Sequence, residues 1–113
     1  MPPGSRRQDV AELALEAALG VPEVHAGDAG ADGLRVTAAP ADRVLRGVSA
    51  IAQADGRYSV DLRLVAGLVP LLALGEEVRR RVRRATADAG LAEHVGEINV
   101  EFSGVSTGEE ARP

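Results

Sequence analysis

Apolar residues recur at helical spacing over residues 74–89, between two segments in which apolar and polar residues alternate. The recurring positions form one stripe along an α-helix: Leu74, Val78, Val82, Ala85 and Ala89. Gly90 is a good helix stop, because glycine readily adopts the left-handed conformation that ends helices. The helix start is open, since either Pro70 lies in the first turn or the helix begins near Gly75. The pattern predicts an amphipathic helix that covers a sheet with one side only.

The flanking segments have the two-residue period of β-strands that are covered on one face. In "YSVDLRLVAGL", Val60, Leu62 and Leu64 point one way, and Asp61 and Arg63 the other. In "EINVEFSGV", Ile98, Val100 and Phe102 point inward, and Asn99, Glu101 and Ser103 outward. Asp61, Arg63, Asn99 and Glu101 can therefore meet on an exposed sheet face. Such a group could form an active site, but paired charges on a solvated sheet are favoured.

The rest of the chain adds a helix and further strands. Asp9 and Glu12 form a capping-box pattern that predicts a helix start, and Gly20 predicts its end. Two short strands around a Gly-rich loop follow, and Asp55-Gly56 predicts a hairpin turn. The order is α-β-β-β-α-β, which predicts an α+β two-layer sandwich: a mostly antiparallel sheet of about four strands with two helices on one face.

The predicted boundaries are a flexible N-terminal arm over residues 1–8, a single domain over residues 9–104 and a disordered tail over residues 105–113. A chain of 113 residues fits one such domain and leaves little room for a second.

Charge and composition narrow the function classes. The net charge is -4 and the sequence pI is near 5.1, the wrong sign for a protein whose main task is to coat nucleic acid. No cysteine is present, which excludes disulfides, thiolate metal sites and cysteine nucleophiles. The N-terminus has no long apolar segment, so neither a secretory signal nor a spanning helix is expected there, and the cytoplasm is the expected location.

Motifs for catalysis and cofactor binding are incomplete. Asp28 and Asp32 are spaced like two ligands of a calcium loop, but Ala39 stands where the closing Glu is needed. His25 and His94 have no carboxylate at ligand spacing, so solvated or capping roles are expected. Ser49 lacks the second glycine of a nucleophile elbow and a convincing base partner. The sequence therefore predicts no catalytic residue, no metal and no cofactor.

Five arginines occupy the six positions from Arg79 to Arg84. Helical geometry places Arg80, Arg83 and Arg84 away from the apolar stripe, with Arg79 at its edge. Pairs at i,i+4 are expected to neutralise part of this charge: Glu76 with Arg80, Glu77 with Arg81, and Arg84 with Asp88. Two interpretations stay open. The face is either a solvated helix surface, or a contact surface for phosphate, lipid headgroups or an acidic partner.

Three segments in succession carry a family resemblance: "YSVDLRLVAGL", "LGEEVRRRVRRATADAGL" and "HVGEINVEFSGV". Together they resemble the alkaline shock protein family, small bacterial proteins linked to the cell envelope and its stress response. The upstream "RVLRGVSAIAQADG" and "ALEAALGVPEV" also fit, so most of residues 10–105 is covered. The apolar "LVPLLAL" before the helix and the bare loop at residues 27–33 depart from the family pattern, and either could mark a partner surface particular to this chain.

The resemblance implies a small α+β protein without catalysis that self-associates and, in some members, is held at the membrane by a small anchoring partner. The expected function is therefore a non-enzymatic envelope or alkaline stress protein. Its expected partners are itself, as a homo-oligomer, and a membrane-anchoring or related family protein. Arg79, Arg80, Arg83 and Arg84 form the candidate contact surface. The alternative is a small RNA-type binding module that uses the Arg-rich helix, although the acidic pI and the scarcity of aromatic residues argue against it.

Overall fold

The structure, a computed structural model, describes residues 3–28, 36–38 and 44–105. In this part of the chain the elements are two helices, six strands and one short 3₁₀ turn. In chain order they are α1 Pro3–Leu19, β1 Val24–Gly27, β2 Val36–Ala38, β3 Val44–Arg46, β4 Val48–Ala52, β5 Tyr58–Ala66, α2 Leu71–Asp88, the 3₁₀ turn Ala92–His94 and β6 Val95–Val105.

The main sheet is built around β5, which has neighbours on both edges. β6 runs parallel to β5 along one edge, while β4 and β1 follow one another along the other edge, both antiparallel. α2 connects β5 to β6, as the crossover between two parallel strands requires. The predicted α+β class with a mostly antiparallel sheet is confirmed. β2 and β3 form a separate two-stranded antiparallel sheet.

Gly47 divides the predicted first hairpin arm into two strands that belong to different sheets. β3 ends at Arg46 and β4 begins at Val48. Gly47 has a φ of 89°. A Cβ at this position would lie 2.6 Å from the carbonyl oxygen of Arg63 and 2.6 Å from the backbone nitrogen of Asp28. Only glycine accommodates both the left-handed φ and this close backbone approach.

The turn between β4 and β5 lies where the sequence predicts it. Gly56 has a φ of 85°, and the backbone N–H of Arg57 donates to Oδ1 of Asp55 at 3.0 Å. The N–H of Gln53 donates to the carbonyl oxygen of Arg57 at 2.8 Å and closes the hairpin. The Asp-Gly prediction is confirmed.

Both helices pack on the same face of the main sheet and enclose an aliphatic core. The predicted inward residues of β5 are buried, and so is Ile98 of β6, while Val100 and Phe102 on this edge strand are half-buried. Each fully buried aliphatic side chain contributes about 1.5–3 kcal/mol. The largest fully buried side chains are Leu62, Leu64, Val10, Val21, Val48, Val60, Val78, Val82 and Thr86.

α1 begins earlier than predicted. Its first residue is Pro3, and Asp9 and Glu12 lie inside the helix, so the predicted capping box is wrong. Proline suits the first turn of a helix, where a missing N–H needs no partner. The predicted end at Gly20 is confirmed, because the Gly20 N–H donates to the carbonyl oxygen of Glu16 at 3.0 Å.

Ordered structure extends beyond the predicted domain boundaries at both ends of the domain. Residues 3–8 of the predicted arm are helical, and β6 continues to Val105, one residue beyond the predicted domain end. Residues 1–2 and 106–113 lie outside the described residues, and so do residues 29–33 of the predicted loop. The flexibility predicted for both ends stays a prediction.

Candidate functional site

α2 is a firmly anchored helix with one buried and one exposed side. Leu74, Val78 and Val82 are buried as predicted. Thr86 is buried instead of the predicted Ala85 and Ala89: Ala85 is half-buried, and Ala89 is exposed beyond the helix end. The Thr86 hydroxyl donates to the carbonyl oxygen of Val82 at 2.9 Å, so its burial leaves no unpaired polar group. α2 therefore presents its outer arginines from a backbone that is fixed against the sheet.

Two of the four predicted surface arginines lean towards β6. Arg79 is half-buried. The Arg79 guanidinium and the Phe102 ring both lie over Gly75. A Cβ added to Gly75 would be 3.8 Å from Nη1 of Arg79 and 3.6 Å from the Phe102 ring. Nη2 of Arg83 donates to the backbone carbonyl oxygen of Gly96 at 3.2 Å. Arg79 and Arg83 therefore contribute to packing between α2 and the edge strand as well as to the surface charge.

The other two predicted arginines, Arg80 and Arg84, stand on the outer side of α2. Both are exposed, and the Arg80 side chain keeps 69% of its surface accessible. Nη1 of Arg80 lies 2.9 Å from Oε2 of Glu77, so the predicted pair between Glu76 and Arg80 is wrong. Glu77, three residues before Arg80, is the acid that the arginine reaches.

Glu77 joins two arginines at once. The predicted Glu77–Arg81 pair is confirmed, with Nε of Arg81 donating to Oε1 of Glu77 at 2.8 Å. This hydrogen bond lowers the pKa of Glu77 below its ordinary value, and the charges of Arg80 and Arg81 add to the effect. The predicted pair between Arg84 and Asp88 is not formed among the described residues. Arg84 is thus the outer arginine whose charge is least compensated locally.

The open face of the sheet, opposite the helices, carries a hydrogen-bonded polar network. Nη1 of Arg63 donates to Oε1 of Glu101 at 3.0 Å, and its Nε lies 3.4 Å from Oδ2 of Asp28. The hydroxyl of Ser103 donates to the same Asp28 oxygen at 2.5 Å. The sequence pattern anticipated that Arg63 and Glu101 are neighbours but missed Asp28, since it follows β1 and no periodicity links it to β5.

A second pair extends this network along the sheet. Nδ2 of Asn99 donates to Oδ1 of Asp61 at 2.9 Å, in register with the neighbouring Arg63 and Glu101 pair. The predicted grouping of these four outward residues is confirmed. Hydrogen-bond donors and acceptors face one another across the two strands, while the three carboxylates of Asp28, Asp61 and Glu101 outnumber the one cation of this network, Arg63.

Both aromatic residues of the chain lie on the helix-covered side of the sheet. Tyr58 and Phe102 are half-buried and pack against the core. Neither Tyr58 nor Phe102 is therefore presented on the open face for a base to stack on, whereas small α+β RNA-binding modules use aromatic residues on the open sheet for this purpose. This placement weighs against the RNA-type alternative.

The apolar segment at residues 68–74 is largely exposed. Leu68, between β5 and α2, keeps 75% of its surface accessible, and Leu72 in the first turn of α2 keeps 79%. These are the most exposed of the large apolar side chains in the described residues. They extend the outer surface of α2 with apolar area at its N-terminal end.

The remaining candidates for chemistry are dispersed. His25 is exposed on β1, His94 is half-buried in the 3₁₀ turn, and Ser49 on β4 pairs in register with Asp61 on β5. Among the described residues, no three His, Asp or Glu side chains come close enough together to hold a metal ion. No helix in the described part of the chain is long and apolar enough to cross a membrane.

The fold and this surface define a two-layer α+β protein with a charged helix face. Comparisons of the chain with protein-family models, with curated proteins and with solved structures find no match.

Proposed function

We propose that this chain is a non-enzymatic protein that works through protein–protein contacts made by the outer face of α2. These contacts include contacts between copies of this chain. The observation that carries the proposal is the exposure of Arg80 and Arg84, one helical turn apart, on a helix that Val78, Val82 and Thr86 hold against the sheet. A fixed backbone reduces the entropy that a surface loses on binding, and guanidinium groups are suited to carboxylate partners.

The cellular setting in this proposal is the response of a bacterial cell envelope to alkaline or related stress. The resemblance of residues 10–105 to the alkaline shock protein family supports this setting. The protein would act in the cytoplasm, or at the membrane through an anchoring partner. The exposed Leu68 and Leu72 provide apolar area just before α2 and in its first turn, and mixed apolar and Arg-containing surfaces are typical of protein interfaces.

Affinity capture from cells that express the full chain tests the proposal. Arg80→Glu/Arg84→Glu reverses the charge of the outer face and is expected to reduce captured partner protein at least about tenfold, since like charges at an interface cost several kcal/mol. The matched control is Arg46→Glu/Arg57→Glu, which reverses two exposed arginines on β3 and in the β4–β5 turn. The control is expected to capture the same partners as the natural chain.

Two outcomes would contradict the proposal. One is an identical set of captured proteins for the natural chain and the α2 variant. The other is capture of RNA that falls steeply with added salt and disappears with the α2 variant, which would favour the RNA-type alternative. Fractionation of the same cells, with and without alkaline stress, tests the envelope setting separately.

A further inference from the structure

An open cavity of about 660 Å³ lies at the start of β6. It is lined by residues of the β4–β5 turn, β5, α2 and β6. Sites for small molecules usually have volumes of about 300–1,000 Å³, so this cavity is large enough to hold one. Six polar or charged side chains line it: Gln53, Asp55, Arg57, Ser59, Arg83 and Glu97.

Gly96 borders both arginines of this cavity. Nη2 of Arg83 donates to the Gly96 carbonyl oxygen at 3.2 Å, and a Cβ added to Gly96 would lie 3.7 Å from Cβ of Arg57. Tyr58, the residue after Arg57, pairs in register with Val95, the residue before Gly96. The pairing of β5 with β6 therefore places two arginines from separate elements beside a residue that has no side chain.

The charge of these two arginines is not compensated by an ion pair. Neither Arg57 nor Arg83 forms one among the described residues. The acids of the lining, Asp55 and Glu97, are both exposed, and Oδ1 of Asp55 accepts the backbone N–H of Arg57 at 3.0 Å. Two neighbouring cations repel one another, and an anion bound between them removes this repulsion.

We propose that the cavity binds a small phosphate monoester that also carries an amino or hydroxyl group. A phosphate monoester has a charge of about −1.5 to −2 at pH 7, so it matches the two guanidinium groups of Arg57 and Arg83. A carboxylate or a phosphate diester carries only one negative charge. Guanidinium groups bind phosphate oxygens through paired hydrogen bonds, and the Ser59 hydroxyl adds a further donor on the same lining.

The two acids of the lining define the rest of the ligand. An ionised carboxylate only accepts hydrogen bonds, so Asp55 and Glu97 are suited to ammonium or hydroxyl groups. They also repel an anion that has no such group, and this repulsion selects against inorganic phosphate. A molecule with a phosphate at one end and an amine at the other is therefore complementary to the cavity.

The charge of the phosphate also favours a free molecule over a membrane lipid. The headgroup of phosphatidylethanolamine contains a phosphate and an amine, but its phosphate is a diester with a single negative charge. We therefore expect binding of soluble O-phosphoethanolamine and no binding of vesicles that present this headgroup. The site is separate from the proposed contact surface, because Arg80 and Arg84 are not among the described residues that line the cavity.

Isothermal titration calorimetry of the full chain with O-phosphoethanolamine tests the site. Arg57→Met/Arg83→Met removes both cations and is expected to weaken binding at least about tenfold, because hydrogen bonds to charged groups are the strong ones. The matched control is Arg7→Met/Arg46→Met, which removes two exposed arginines outside the cavity and is expected to bind like the natural chain. Circular dichroism confirms that each variant is folded.

Arg57→Met alone is a second variant that leaves the contact between Arg83 and Gly96 intact. Among the described residues, the Arg57 guanidinium forms no ion pair, so its removal is expected to leave the stability of the fold nearly unchanged. Binding of O-phosphoethanolamine is still expected to weaken severalfold, since one of the two cations is lost.

The acids are tested by the choice between ligands. The natural chain is expected to bind O-phosphoethanolamine about two- to fivefold more tightly than inorganic phosphate, which is the strength of an exposed charge pair. Ethanolamine, which has no phosphate, is expected to bind least. Asp55→Asn/Glu97→Gln is expected to abolish the preference for O-phosphoethanolamine over inorganic phosphate.

Three outcomes would overturn the inference. The first is no heat of binding from the natural chain at up to about 10 mM O-phosphoethanolamine. The second is equal affinity for the natural chain and both arginine variants. The third is sedimentation of the chain with phosphatidylethanolamine vesicles while the soluble ester does not bind, which would identify a lipid headgroup as the ligand.

The ligand site and the contact surface of α2 are tested by different variants. Arg80→Glu/Arg84→Glu is expected to lose captured proteins and to keep its affinity for O-phosphoethanolamine. Arg46→Glu/Arg57→Glu is expected to keep captured proteins and to lose this affinity. If Arg80→Glu/Arg84→Glu weakened the ligand as much as Arg57→Met/Arg83→Met, the assignment of the ligand to this cavity would be wrong.

Discussion

The open sheet face and the outer face of α2 differ in how their charged side chains are paired. On the open sheet face, Arg63 lies between Glu101 and Asp28, and Asn99 is bonded to Asp61, so opposite groups satisfy one another within one copy. On the outer face of α2, Glu77 pairs with Arg80 and Arg81, whereas Arg84 is exposed and forms no ion pair among the described residues. The charged groups of the sheet face are therefore held in place by partners within the same copy. Arg84 is instead accessible to a carboxylate of another molecule.

The largest expected effect comes from disturbing the backbone that supports the sheet network. Gly47→Ala places a Cβ 2.6 Å from backbone atoms of both Arg63 and Asp28. The strain of a positive φ costs about 1–2 kcal/mol, and the collision adds to this cost, so a loss of more than about 3 kcal/mol in the free energy of unfolding is expected. Urea denaturation measures it.

Gly56→Ala is the matched control for this prediction. Gly56 also has a positive φ, of 85°, but no heavy atom lies within 4 Å of an added Cβ. The control is expected to lower the free energy of unfolding by only about 1–2 kcal/mol, which is the cost of a positive φ at a residue other than glycine. Equal losses for the two variants would show that the close approach at Gly47 does not matter.

A smaller effect separates the two surfaces directly. Arg63→Met removes the cation that pairs with Asp28 and Glu101 and is expected to cost about 1 kcal/mol, because the side chain is only 26% exposed and serves two carboxylates. Arg80→Met removes an arginine that is 69% exposed and is expected to change the free energy of unfolding by less than about 0.5 kcal/mol. The comparison between the surfaces would be wrong if Arg80→Met were the more damaging change.

The smallest expected effect is on how the free energy of unfolding changes at acidic pH. The pKa of Glu77 is lowered in the folded protein by the hydrogen bond from Arg81 and by the charge of Arg80. Its pairing therefore stabilises the fold above the ordinary pKa of 4.5 and is lost as the pH falls through the lowered value. Glu77→Gln is expected to flatten this part of the pH profile of unfolding. Glu76→Gln, one residue away and without an ion pair among the described residues, should leave it unchanged.

Much of the fold could be predicted from short-range periodicity. The two-residue alternation of β5 and β6 fixed which side chains are inward, because a strand turns successive side chains to opposite faces. The Asp55-Gly56 turn was predictable because its chemistry is local. The start of α1 was misplaced because Asp9 and Glu12 have the capping pattern, although the preceding residues continue the helix from Pro3.

The candidate site was predictable only in part. Helical geometry correctly placed Arg80 and Arg84 on the outer side of α2. It could not show that Arg83 contacts the carbonyl oxygen of Gly96, because that contact depends on how α2 lies over β6. It also paired Arg80 with the wrong acid, since i,i+3 and i,i+4 partners are nearly equivalent on a helix and the rotamers of the folded protein decide between them.

By itself, the sequence determined the elements, their covered faces and the charge that each helix carries, because these depend on the period of the chain and on residue type. The tertiary structure alone decided three further features. These are the parallel pairing of β5 with β6, the division of strands at Gly47 and the entry of Asp28 into the network of Arg63. Each joins residues that are distant in sequence, and their alignment is set by strand register and backbone packing. Those are properties of the whole fold, and no local pattern encodes them.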